Sequence, residues 1–127
     1  VVHKPFEKTN FKEKFDFILS SPPFFALETY EKDNIKQSIK QYNNVKEWRE
    51  KFLFVLIKKC YKYLEKGGYF CIHIDHYLNF SYVDHMIKFI KNKTKFKSVG
   101  RIYQHITYTD QNLISKSRPL FIRIYKK

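Results

Sequence analysis

The stretch from Phe15 to Phe25 constrains the fold more than any other. Phe15-Asp16-Phe17-Ile18-Leu19-Ser20 is short and apolar, and it runs without a spacer into Ser21-Pro22-Pro23-Phe24-Phe25. An apolar run of this length bounded by breakers predicts a buried strand. Proline fixes φ and carries no N–H, so the strand must stop and the chain must leave through a stiff turn with its carbonyls free to accept. In open α/β sheets, ligands bind beyond the carboxyl ends of strands. Ser21, Pro22, Pro23 and Phe24 are expected there.

The remaining pattern alternates strands with helices. Glu47 to Glu65 predicts a helix: Trp48, Phe52, Val55, Leu56, Lys59 and Tyr63 fall near a 3.6 spacing, and Leu53, Ile57, Cys60 and Leu64 widen the apolar face. Gly67-Gly68 is expected to cap its carboxyl end. Tyr69 to Ile74 predicts a second strand. Tyr82 to Asn92 predicts a second helix with Val83, Met86, Ile87 and Ile90 on one face. Phe96 to Thr107 predicts a strand with Gly100 as a bulge. Pro119 to Tyr125 predicts a last strand, in which Leu120, Ile122 and Ile124 face one way and Phe121, Arg123 and Tyr125 the other. Residues 33–44 are polar and aperiodic and read as a loop with some helix. Helices between strands imply an α/β fold with a mainly parallel sheet, and two final strands without a helix between them imply an antiparallel pair.

The chain has 127 residues and 43% hydrophobic content, enough for a core but short for a three-layer α/β domain. It begins Val1-Val2, which suggests part of a longer protein. Its net charge of +13 suits a polyanion, either nucleic acid or an anionic membrane surface. The abundance of Lys, Asn, Ile, Tyr and Phe also fits the drift of an AT-rich genome. Cys60 and Cys71 sit in apolar patterns and read as buried thiols, with no C-x-x-C to suggest a metal knuckle. No apolar run approaches the ~20 residues of a membrane span. An intracellular, cytoplasmic, reducing compartment is the expectation.

The turn residues suit the handling of an amine. The exocyclic amino group of adenine or cytosine is a poor nucleophile, because its lone pair is delocalised into the ring. A site that methylates it must accept hydrogen bonds from it and hold it toward tetrahedral geometry. The Ser21 hydroxyl and the Pro22 carbonyl offer acceptors, Pro23 stiffens the turn, and Phe24 offers a face on which an extruded base can stack.

Ser21-Pro22-Pro23-Phe24 resembles the catalytic motif of the S-adenosylmethionine-dependent amino-methyltransferases, written as Asp, Asn or Ser, then Pro-Pro, then an aromatic. The Ser-Pro-Pro branch includes many cytosine-N4 and some adenine-N6 DNA methyltransferases. Phe25, Leu27, Glu28 and Tyr30 resemble the segment that follows the motif in some phage and viral members. Gln37-Ser38, Tyr42, Trp48, Leu64 to Ile74 and Pro119 to Lys127 extend the likeness over most of the chain. The resemblance implies a Rossmann-like class I fold, S-adenosyl-L-methionine as cofactor, and a nucleic-acid partner, DNA before RNA. It implies catalytic roles for Ser21, Pro22, Pro23 and Phe24, substrate contacts from Phe25, Glu28 and Tyr30, and cofactor contacts from Ser20, Phe6 and Glu7.

One departure stands out. The family wraps the methionine end of its cofactor in a glycine-rich loop after its first strand. This chain has only Gly67, Gly68 and Gly100. It therefore looks like the carboxyl-terminal half of the catalytic domain, spanning 1–127 with the motif at 20–25. An upstream segment or a complementary chain would supply the cofactor loop. The expected strand order is catalytic strand, next strand, last strand, with the penultimate strand at the edge. Two other readings stay open: a non-catalytic nucleic-acid-binding module, and an RNA amino-methyltransferase. His73, Asp75 and His76 form an H-x-D-H cluster without an evident third ligand, so no metal site is assigned. Lys32, Lys36 and Lys40 are the better candidates for phosphate contact.

Overall fold

The computed structural model describes residues 4–23, 25, 41–75, 81–104 and 120–127. After a 3-10 turn at Phe6–Lys8 comes β1, Phe15–Ser20. A continuous helical rod follows: α1 at Val45–Trp48, a π segment at Arg49–Leu53, and α2 at Phe54–Tyr63. Then come β2 at Leu64–His73, α3 at Tyr82–Lys93, β3 at Lys97–Gln104 and β4 at Leu120–Lys126.

The four strands form one sheet in the order β1-β2-β4-β3, the order expected from the sequence. β1 and β2 run parallel, whereas β4 is antiparallel to both β2 and β3. The sheet is therefore mixed: β1, β2 and β3 run one way, and β4, entering between its neighbours, is the antiparallel final strand that the sequence implied. The register of β3 on β4 shifts between Ser98 and Gly100, which is the bulge that Gly100 predicted.

The rod starts two residues earlier than its periodicity suggested, and local chemistry explains this. Asn44 accepts from the Glu47 N–H at 2.9 Å, and the Glu47 carboxylate accepts from the Asn43 N–H at 2.9 Å. This reciprocal arrangement satisfies donors that a helix start leaves orphaned. Lys51 adds an ion pair to Glu47 at 2.6 Å, and its hydrogen bond holds the Glu47 carboxyl below its ordinary range. The Phe54 N–H then reaches the Arg49 carbonyl five residues back, a π bulge.

Gly67-Gly68 does not cap the rod. α2 ends at Tyr63 with Leu64 already extended. The Lys127 ammonium donates to the carbonyls of Tyr61 and Leu64, at 2.7 Å each, and so does the capping expected of the glycines. The glycines lie within β2, where the register on β1 shifts from Phe15↔Leu64 to Phe17↔Tyr69. Gly67 takes φ +87°, and a Cβ on Gly68 would stand 2.7 Å from the Asp16 carbonyl oxygen. The pair lets β1 approach closely.

The rod and α3 pack on one face of the sheet. Trp48, Leu53, Ile57 and Cys60 from the rod, with Val83, Met86 and Ile90 from α3, are buried together with Phe70 and Ile72 of β2 and Tyr125 of β4. Phe54 and Phe89 stack at 4.0 Å and join the two helices. Ile87, expected on the buried face, is 42% exposed. The contact stripe runs through Val83, Met86 and Ile90, and Ile87 lies about 100° around the helix from Met86. Among the described residues no helix packs on the opposite sheet face, which is apolar: Phe17 pairs with Tyr69 and Leu19 with Cys71, and Phe17, Leu19, Tyr69 and Ile102 are all exposed.

Both cysteines are free thiols. Burial pushes the Cys60 thiol up to about 12 and raises that of Cys71. Because the thiolate is the reactive form, Cys60 is expected to resist iodoacetamide at pH 8 until the chain unfolds. Mass spectrometry of native and urea-treated samples checks this, and rapid native labelling of Cys60 would contradict its burial.

Candidate active site

β1 and β2 are parallel, so their carboxyl ends coincide. Ser20 pairs with Ile72, and the next residues on the two strands, Ser21 and His73, stand side by side. Ser21 Oγ and His73 Nδ1 are 3.1 Å apart and hydrogen-bonded. Ser20 is half-buried, Ser21 exposed, Pro22 buried and Pro23 half-buried. The turn therefore seats one proline in the protein and presents the serine to solvent.

The chain leaves this turn under constraint. Phe25 has φ 53°, a left-handed conformation that bulky side chains seldom adopt. Its ring is half-buried and lies 6.0 Å from Trp48. Trp48 is fully buried against Phe52 and Tyr82, so the start of the rod anchors the exit of the motif. On the β2 side, Arg123 of β4 donates to the Ile74 carbonyl at 2.7 Å. This fixes the backbone just after His73 and brings a guanidinium to the same end of the sheet.

Phe6 and Glu7 lie against the helical rod. Their 3-10 turn sits against α2, where the Lys59 ammonium donates to the carbonyls of Phe6 at 3.4 Å and Thr9 at 2.5 Å. Phe6 packs on Phe11 at 5.7 Å. Glu7 lies close enough to Tyr42 that burial, followed by the charges of Glu7 and Glu47, pushes that phenol up. Phe24, Glu28 and Tyr30 lie outside the described residues, as do His76, Lys32, Lys36 and Lys40.

Two residues at this end of the sheet escaped assignment from sequence. His73 was visible only as part of H-x-D-H, and its partner Ser21 is 52 positions away. The available signal was a polar residue at the carboxyl end of the second parallel strand. Alternation put Arg123 on the face of its strand shared with Phe121 and Tyr125, and its bond to Ile74 depends on the β2–β4 pairing.

Among the described residues, no helix is long and apolar enough to cross a membrane, and no group of three His, Cys, Asp or Glu side chains is placed to hold a metal ion. Comparison with curated proteins gives no match. A family model described as a DNA methylase, of the N6/N4 type, matches residues 15–122. That span begins on the first residue of β1 and runs into β4, so it includes the Ser-Pro-Pro turn and the strand ends around it. The chain belongs to the DNA methylase family, whose members use S-adenosylmethionine to methylate exocyclic amino groups of DNA bases.

Proposed function

We propose that Ser21 and the Pro22 carbonyl hold the target amine of an adenine or cytosine turned out of the DNA helix, while Pro23 stiffens the turn and Phe24 stacks on the base. The observation that carries this reading is the exposed Ser21 hydroxyl at the shared end of two parallel strands, next to a buried proline and hydrogen-bonded to His73. Phe25, whose ring lies toward Trp48, contacts the substrate in this reading, as do Glu28 and Tyr30. When bound, S-adenosylmethionine supplies a sulfonium methyl whose carbon–sulfur bond breaks as the amine's new carbon–nitrogen bond forms and the amine gives up a proton. The chain's part is positioning, which by itself removes a large share of such a barrier.

The described residues do not by themselves build a cradle for that cofactor. Gly67, Gly68 and Gly100 all lie in β2 and β3, away from the end that carries Ser21 or spent on a bulge. Ser20, Phe6 and Glu7 line one wall of the cofactor pocket, and the glycine-rich loop comes from an upstream segment or a complementary chain. In this reading the chain is the carboxyl-terminal half of a Rossmann-like methyltransferase domain acting inside the cell. Two observations support it. Among the described residues β1 lies at the sheet edge beside a parallel neighbour, and parallel strands are ordinarily covered on both faces. The sheet face opposite the rod carries Phe17, Leu19, Tyr69 and Ile102, an apolar patch of the kind that marks an interface.

The test is single-turnover transfer of labelled methyl by the complete enzyme to duplexes that offer only adenine or only cytosine targets. Phe24→Ala is expected to slow transfer by about 5- to 150-fold, the equivalent of ~1–3 kcal/mol of base stacking. An unchanged rate removes Phe24 from the site.

A further inference from the structure

We infer that His73 is a positioning residue that turns the Ser21 hydroxyl into a pure hydrogen-bond acceptor for the target amine. The inference rests on the amine-holding role of Ser21 proposed above. A serine hydroxyl has one hydrogen to donate and two lone pairs to accept with. The amine it must hold is a donor, so a hydroxyl hydrogen aimed at the amine would repel it. The hydrogen therefore has to be engaged elsewhere.

The geometry supplies that place. His73 Nδ1 lies 3.1 Å from Ser21 Oγ. In the tautomer with its proton on Nε2, His73 accepts the serine hydrogen at Nδ1, and both Oγ lone pairs then face away from the ring. His73 itself is well fixed: it is half-buried at the end of β2, it pairs with Ile122 of β4, and the following carbonyl is tied to Arg123. Asparagine or aspartate at the position of Ser21 offers an oxygen with no hydrogen and needs no such partner. The role of His73 is thus specific to a serine at this position.

The experiment uses the complete enzyme and compares His73→Asn with His73→Gln. The amide oxygen of asparagine falls where Nδ1 stood and can still accept from Ser21, whereas that of glutamine falls near Nε2 and cannot. His73→Gln is expected to lower kcat roughly tenfold or more, with KM for DNA within about twofold of the parent; His73→Asn stays within about threefold in kcat. Equal activity of the two variants, whether both high or both low, overturns the inference. A second arm repeats His73→Gln in a Ser21→Asn background, where the residual turnover should not fall further. An equal fractional loss in both backgrounds shows a merely structural histidine. Ser21→Ala, run alongside, separates the two ideas. If it retains full transfer, the amine-holding role itself fails; if it loses transfer while the His73 variants do not differ, only the positioning role fails.

Discussion

Ser21→Ala is expected to lower single-turnover methyl transfer by on the order of 10²–10³, as removal of a positioned hydrogen-bonding group at a reacting centre commonly does. Binding of DNA should hardly change, because phosphate contacts carry most affinity and the chain's +13 charge is untouched. Stability should also change little, since Ser21 is exposed and its side chain bonds to His73. The separation matters: a residue that merely finished the turn would show a small effect on both measurements. Rapid quench with labelled methyl donor, together with a binding titration at fixed salt, gives both numbers from one preparation. Near-parental transfer by the alanine variant would leave the turn as scaffold and remove the serine from the chemistry.

Gly68→Ala should be among the most damaging single methyl additions to the sheet. The new Cβ would meet the Asp16 carbonyl oxygen at 2.7 Å, Leu64 Cγ at 3.0 Å and the Glu65 carbonyl oxygen at 3.1 Å. Two of these are backbone atoms that cannot rotate away, so β1 must move off β2. Overpacking of this kind costs ~1–3 kcal/mol and sometimes more. Gly100→Ala is the matched control, because nothing lies within 4 Å of a Cβ there. Urea midpoints of the two variants should differ clearly, and equal midpoints would mean that the close approach of β1 at Asp16 is not tight. A shift of β1 would also carry Ser21 away from His73, so transfer should fall with stability in Gly68→Ala and not in Gly100→Ala.

The sequence made some of these features legible and hid others for physical reasons. The Ser-Pro-Pro turn and the strand before it were within reach, because breakers and hydrophobic period act locally, whereas the order β1-β2-β4-β3 was implied by the family resemblance. The end of the rod was misread. Gly67-Gly68 carries the signature of a helix stop, but the Lys127 side chain takes that role from 63 positions away, and the glycines serve a strand contact. The π segment at Arg49–Leu53 leaves no mark in a 3.6-residue period. The Ser21–His73 pair depends on register between two strands separated by the whole rod, and local pattern is silent on register of that kind. Phe6 and Glu7 were assigned through resemblance, and their contacts with α2 and Tyr42 follow from the path of the chain before β1.

Among the described residues, β1, which leads into Ser21, has a neighbouring strand on one side only. Local opening of a sheet is cheapest where the ladder is incomplete, so the serine at the end of β1 is expected to be held less firmly than His73 on the interior strand β2. A strand added along the free edge of β1 would raise the cost of fraying there. Rigidity of the serine and completeness of the sheet would then rise together, and the hydrogen-bonded pair would work as an assembly sensor as much as a piece of the site. With a strand added there, the turn would stiffen without any rearrangement of its own.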